Sequence, residues 1–317
     1  MKTWIDFERA PVFEIALTDD LGGQRVFQGM LIEGPQGWGE FSAPRDCDDE
    51  GAGRWLTASI EAGTVGWPDP VRGRVPVAVT VPSVDADRAR QIVTDSGCRT
   101  AAVRVGQTGG SLGSDIARVE AVRDALGPTG AIRCDAGGSW DTDTAPSAIA
   151  ELDRAAGGLE FIQQPCRTLD EAGTLRAHIS VPIAMNAIRT AMAAAADIAV
   201  VNVADSGGVR RALRVAEICG VPCVVAASLQ SSVGIAGGLA LAGVLPESGF
   251  ASELATVALL RGDVVSAGRS LIPVDGYLPV APMPAAPDPD GLARFAATDP
   301  DTVRWWRNRL TAAQRYI

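Results

Sequence analysis

The sequence predicts a (β/α)8-type barrel preceded by a small α+β unit, with an open doubly wound sheet as the alternative arrangement of the same elements. Three observations predict it. From Val75 onward, short apolar runs alternate with stretches of helical period. Before Val75 the pattern is that of a meander carrying a helix. Beyond about residue 280, a Pro-rich connector leads into an aromatic tail.

Taken in order, VFEIAL (12–17) and RVFQGMLIEG (25–34) are strand-like and are separated by the polar turn DDLGG (19–23); GWGEF (37–41) follows, then a helical stretch over 47–63. The barrel strands are expected at 75–81, 100–105, 131–135, 159–164, 181–186, 198–203, 221–228 and 249–254, with helices between them such as 114–126 and 207–220. Between the fifth and sixth strands only IRTAMAAAADIA remains, too little for more than about two helical turns, so the barrel is modified there. PMPAAPDPD (282–290) is the connector, and the tail 291–317 is expected to be a terminal helix docking through Phe295, Trp305 and Trp306. The tryptophan pair has a second reading, a homodimer contact. The expected organisation is 1–74, 75–280 and 281–317.

The chain has 317 residues, 47% hydrophobic and 21% charged, enough to bury a large core and too apolar for global disorder. Its 28 basic and 38 acidic residues give a net charge of −10, and no basic stripe offers a nucleic acid a footprint. No apolar run is long enough for a membrane span, and MKTWIDFERA has no secretory h-region. A cytoplasmic protein acting on a small molecule is expected. The six cysteines have no metal or disulfide spacing and read as reduced thiols, mostly small buried hydrophobes. GGSLG (109–113) is a loop and not a dinucleotide fingerprint, so no cofactor is expected.

The strand ends carry a more specific pattern. GWGEF, RCDAGGSW (133–140), EFIQQPC (160–166), VPIAMNAIR (181–189), VVNVADSGGVRRALRVAE (200–217) and SLQSSVGIAGGLALAGVLPE (228–247) occur in order. Together they resemble o-succinylbenzoate synthase of the enolase superfamily, in its actinobacterial form, over nearly the whole chain. The resemblance implies an N-terminal α+β capping domain over a modified (β/α)8 barrel. It also implies proton abstraction next to a carboxylate, with a Mg²⁺ held by three carboxylates, a base in a Lys-x-Lys motif on the second strand and a facing lysine on the sixth.

At those positions this chain differs. The Lys-x-Lys motif falls on Ala102-Val103-Arg104, and the base position on Arg104, a poor proton acceptor. Of the implied metal ligands, Asp135 is kept, the second falls on Gln163 and the third on Asn186; the sixth-strand lysine falls on Asn202. The loop that carries arginines in relatives is Asp19-Asp20-Leu21-Gly22-Gly23. Mg²⁺ takes hard, anionic oxygens. One carboxylate and two amides beside Arg104 leave a centre of net charge near zero, so no metal site is expected, and an enediolate would lack a stabiliser typically worth several kcal/mol. An Arg104–Asp135 ion pair ringed by Gln163, Asn186 and Asn202 is the expected arrangement.

Asp135 and Arg104 are candidate catalytic residues, or simply each other's partner. Glu253, near the eighth strand, is a candidate general acid or base, or a solvated rim carboxylate. Asp205 can contact substrate or can belong to the start of the helix before Gly207-Gly208. Gln230 and Ser231 can hydrogen-bond a ligand. The Gly207-Gly208 turn can receive an anion on its backbone N–H groups. His178, the only histidine, falls on the barrel's opposite face, which disfavours Ser-His-Asp and Cys-His chemistry. Cys134 should face outward by strand alternation, and Cys166 reads as structural. Two function classes remain open: a metal-independent cyclase, isomerase or lyase in a biosynthetic pathway, and a non-catalytic ligand-binding or partner protein. An open pocket lined by Asp135 and Glu253 favours the first; a mouth collapsed onto Arg104–Asp135 favours the second.

Overall fold

The computed structural model describes residues 5–187 and 190–317, so Ile188 and Arg189 of the VPIAMNAIR segment lie outside the described residues. The chain opens with an antiparallel sheet of β1 (Val12–Leu21), β2 (Gln24–Gly34) and β3 (Gly37–Phe41). On β1 the side chains alternate, so Phe13, Ile15 and Leu17 are buried while Glu14 and Ala16 are exposed. The polar turn is tighter than expected: Asp19, Asp20 and Leu21 belong to β1, and Gly22-Gly23 alone reverse the chain. Helix α1 (Asp49–Thr64) packs on the sheet, its first turn capped by Asp48, which accepts from the Gly51 N–H at 2.7 Å.

The expected first barrel strand is split in two. Pro76 lacks an N–H and ends β4 (Arg74–Pro76), which pairs away from the barrel with a late strand; the barrel resumes at β5 (Val79–Val81). After α2 (Ala86–Ser96) come β6 (Thr100–Arg104), α3 (Leu112–Leu126), β7 (Ala131–Asp135) and α4 (Ala145–Ala156). Strand β8 is only Ile162–Gln163, shorter than the apolar run, because Gln164 turns into the left-handed region with φ 45°. There follow α5 (Leu169–Arg176) and β9 (Ile183–Asn186). No helix separates β9 from β10 (Ile198–Asn202) among the described residues 190–197, which form turns. Then come α6 (Val203–Ser206), α7 (Val209–Cys219), β11 (Cys223–Ala226) and α8 (Ser232–Val244).

Strands β5 to β11 form one parallel sheet of seven in sequence order. The expected eighth strand, 249–254, is reduced to two residues that close the barrel by isolated bridges. Glu253 pairs with Ala226 and Ser252 with Val77. Four main-chain hydrogen bonds fasten this seam, including Glu253 N–H to the Val225 carbonyl at 2.8 Å and Ala78 N–H to the Ser252 carbonyl at 2.9 Å. Outward side chains such as Val103, Val105, Cys134 and Ile162 pack under the helices. Inward ones, Phe161, Ala184, Ile198, Val200 and Val224, fill the barrel's lower interior. Cys134 therefore faces outward, as strand alternation requires. Cys98, Cys166 and Cys219 are buried too, Cys47 and Cys223 are half-buried, and no disulfide joins any of the six. No helix among the described residues is long and apolar enough to cross a membrane.

After β12 (Tyr277–Pro279), the partner of β4, the tail returns to the first sheet. It is two helices and not one: α9 (Pro289–Arg294) and α10 (Pro300–Ala313), since Pro300 restarts the helix under an Asp299 cap. Trp306 is 2% exposed and shares a core with Phe41, Trp55 and Leu56, while Phe295 packs beside the Phe13–Phe27 cluster. Trp305 is half-buried, with the Arg45 guanidinium 4.4 Å from its ring centre. The tail is thus part of the N-terminal core. Trp306→Ala should destabilise the protein by about 3–5 kcal/mol, and Trp306→Phe by markedly less, in urea unfolding followed by circular dichroism.

Candidate active site

The C-terminal ends of the strands open into a cavity of about 1020 Å³, roofed by Leu21 and Gly22 at the tip of the β1–β2 hairpin. The hairpin is tied to the barrel: Arg88 on α2 holds both carboxylate oxygens of Asp19 at 2.8 Å, which keeps the Asp19 carboxyl below its usual range.

At the floor, register sets the chemistry. Arg104 pairs with Asp135 across β6 and β7, and Asp135 with Gln163 across β7 and β8, so these three residues stand side by side at one level. Asn186 stands two residues beyond Ala184, the partner of Gln163. Arg104 and Asp135 form the expected ion pair. The other Asp135 oxygen accepts from the Gly137 N–H at 2.9 Å. Gly137 has φ 59°, and a Cβ there would stand 2.9 Å from an Arg104 guanidinium nitrogen, so only glycine lets the cation lie down in this place. Burial pushes the Asp135 carboxyl up, and Arg104 works against that shift.

Glu253 lies in the cavity wall and is 8% exposed, so it is not a solvated rim carboxylate. Its support is Arg133, a residue that strand parity from Asp135 points inward and that sequence reasoning passed over. Arg133 is fully buried, with its guanidinium 4.5 Å from the Phe161 ring centre. It donates to Glu253 at 3.1 Å and to the Ala251 carbonyl at 3.0 Å, and its other terminal nitrogen stands 2.6 Å from a Glu160 oxygen as an ion pair without hydrogen-bond geometry. The Gln163 amide, nitrogen toward Glu253, reaches both carboxylate oxygens at 3.2 Å. Burial raises the Glu253 pKa, opposed first by Arg133. The floor thus pairs a tethered cation with a carboxyl group biased toward holding a proton.

Residues 85–292 match the family described as Enolase C-terminal domain-like, and residues 12–63 match Enolase N-terminal domain-like. An o-succinylbenzoate synthase of Thermobifida fusca is 45% identical over 315 residues, covering 95% of each chain. One from Mycolicibacterium smegmatis is 41% identical over 319 residues, covering 98% of this chain and 96% of that one. The chain belongs to the enolase superfamily, in its o-succinylbenzoate synthase-like branch. Solved structures share the fold at low identity. The muconate lactonizing enzyme from Pseudomonas fluorescens superposes with a TM-score of 0.75 at 20% identity, over 93% of this chain and 98% of that one. The L-Ala-D/L-Glu epimerase from Bacillus subtilis gives 0.74 at 18%, over 90% and 98%.

Within this superfamily frame, the remaining candidates divide. Asn186 and Asn202 line the cavity. Asn202 is also the N-cap of α6, accepting from the Ala204 N–H at 2.9 Å, and its amide donates to Ser228 at 3.1 Å. Asp205 lines the cavity but caps nothing: it accepts from the Trp55 indole N–H at 2.7 Å, and burial raises its pKa. The Gly207-Gly208 turn is already filled, because Glu61 of α1 accepts from the N–H groups of Val209 and Arg210 at the start of α7. Gln230 and Ser231 do not reach the cavity. Ser231 caps α8 and donates to Glu40 of β3, and Gln230 lines a separate gap of about 30 Å³ beside Glu40. In the five-residue connection from β11 to α8, the cavity is faced by Ala227, Ser228 and Leu229 instead. His178 follows α5, before β9, and is not among the residues that line the cavity.

Glu40 is the residue that sequence reasoning could not have priced. It is buried between β3 and α8, with Ser42 donating at 2.7 Å and the Ser231 N–H at 3.1 Å, and burial pushes it up to about 7. The folded protein therefore keeps a proton that the unfolded chain releases, and stability falls as pH rises from about 4.5 to about 7. Glu40→Gln should flatten this slope. In urea unfolding at about pH 5 and about pH 8, wild type should lose up to ~3 kcal/mol more than the variant.

Proposed function

We propose that the chain is a metal-independent lyase, isomerase or cyclase that acts on a small organic substrate in a biosynthetic pathway, and that it descends from the o-succinylbenzoate synthases it resembles. The observation that carries this reading is the Arg104–Asp135 pair lying at the floor of an open cavity of about 1020 Å³, where a collapsed mouth would favour an inert protein.

The donor set does not fit the divalent cation that the family implies. Both Asp135 oxygens are engaged, by Arg104 and by the Gly137 N–H, and the Gln163 amide serves Glu253. Among the described residues no three His, Cys, Asp or Glu side chains cluster as metal ligands. In this reading a guanidinium takes over the electrostatic task. Arg104, held by Asp135 and seated on Gly137, presents N–H groups to a substrate carbonyl or carboxylate and stabilises negative charge that develops there. Glu253, held by Arg133 and Gln163, gives or takes the proton. Gln163, Asn186 and Asn202 position the substrate by hydrogen bonds, and the hairpin roof limits water.

A second reading, a pseudoenzyme, is favoured by one observation: Arg104 and Asp135 already satisfy each other. Turnover separates the two. Calorimetric titration should show no micromolar binding of Mg²⁺ or Mn²⁺, and o-succinylbenzoate should not form on adding Mg²⁺; micromolar binding or product formation would overturn the proposal. Asp135→Asn and Glu253→Gln should each lower turnover by about tenfold or more, a barrier increase of about 1.4 kcal/mol. Unchanged rates in both variants would remove these residues from the chemistry.

A further inference from the structure

The cavity has a second end. Away from the Arg104–Asp135 floor, its wall is built by Glu50 and Arg54 of α1, Asp205 and Ser206 of α6, Arg211 of α7 and Tyr316 of the tail. Three of these charges are accounted for. Arg54 pairs with Glu50 at 3.0 Å, and Asp205 accepts from Trp55. Arg211 is different: among the described residues it makes no hydrogen bond and no ion pair. Its placement is nevertheless specific. A Cβ at Gly207 would stand 2.9 Å from an Arg211 guanidinium nitrogen and 3.3 Å from its Cδ, with the Arg54 side chain at 3.7 Å on the other side. Gly207 has φ 84°. Arg211 is exposed, and its guanidinium lies over the bare glycine, close to the stem of Arg54, at the wall of the cavity.

We propose that Arg211 recognises a carboxylate, so that the substrate is an elongated organic monocarboxylate whose acid end lies against Arg211 between the capping domain and α7. The inference rests on the reading of the cavity as a small-molecule site and names the substrate class. A guanidinium offers two parallel N–H groups that match a carboxylate. A phosphate matches poorly here for two reasons. The N–H groups at the start of α7, the donors that a phosphate would seek, are taken by Glu61. The carboxylates of Glu50 and Asp205 also stand in the same wall and repel a dianion twice as strongly as a monoanion. The acid-binding end is made by α1, α6, α7 and the tail together, so it exists only in the assembled protein.

The test uses the intact protein and three probes: 4-phenylbutyrate, 4-phenylbutyramide and phenyl phosphate, with affinities from ligand-observed NMR or calorimetry. Wild type should bind the acid at least about tenfold more tightly than the amide. Arg211→Gln should reduce that ratio to below about threefold, and Gly207→Ala, which displaces the guanidinium and strains the turn, should reduce it as well. Arg74→Gln, at an arginine outside the cavity, should leave it above about tenfold. A single cooperative melting transition for Arg211→Gln and for Arg104→Gln shows that both variants fold. The proposal is overturned if Arg211→Gln keeps the ratio, if only Arg104→Gln loses it, if phenyl phosphate binds more tightly than the acid, or if the acid shows no saturable binding at millimolar concentration. A protein that passes this test but turns nothing over keeps its carboxylate site and loses only the catalytic reading.

Discussion

One ion pair organises the mouth of this barrel. Arg104 and Asp135 stand opposite each other on neighbouring strands, and the geometry of the parallel sheet leaves them no choice but to meet. The Asp135 carboxyl is largely buried, and a buried carboxylate without a partner is costly; Arg104, its side chain 43% exposed, supplies that partner from the mouth. Each therefore fixes the other, Gly137 clears the space, and the neighbouring side chains adapt. Gln163, one strand along, has no cation to serve and turns its amide to Glu253. Glu253 in turn requires Arg133, and Arg133 requires Glu160. The polar interior reads as a chain of obligations that begins at one pair.

The second constraint is that the cavity belongs to no single part of the chain. The hairpin is pinned by Asp19 to Arg88, α1 reaches α7 through Glu61 and α6 through Trp55, and the tail closes the same side through Trp306 and Tyr316. The contacts of Asp19, Glu61 and Trp55 are charge-assisted or indole hydrogen bonds, whereas Trp306 packs in an apolar core, so packing and polar pairing hold the same interface.

Much of this was legible in the sequence. Periodicity placed the strands of the barrel, and alternation along β6 and β7 turned Arg104 and Asp135 inward and Cys134 outward. The strand limits were less legible wherever a single residue overrode an apolar run: Pro76 split the first strand, Gln164 shortened the fourth, and Pro300 divided the tail. At the site, Asp135, Arg104, Gln163, Asn186, Asn202, Asp205 and Glu253 all reach the cavity. Gln230 and Ser231 do not, because a helix cap and a buried carboxylate from a distant strand claim them. Arg133 was within reach of the same parity argument that found Asp135. Glu40, Arg54 and Arg211 were not, since their meaning depends on which face of one half of the chain meets the other.

The seam of the barrel has a consequence for its history. Ser252 and Glu253 complete the hoop with main-chain atoms alone, and the side chain at 253 bears none of that duty. Inheritance can therefore try acid, amide or hydroxyl at this spot while the cylinder stays fastened. A scaffold of this design can trade one reaction for another without first coming apart.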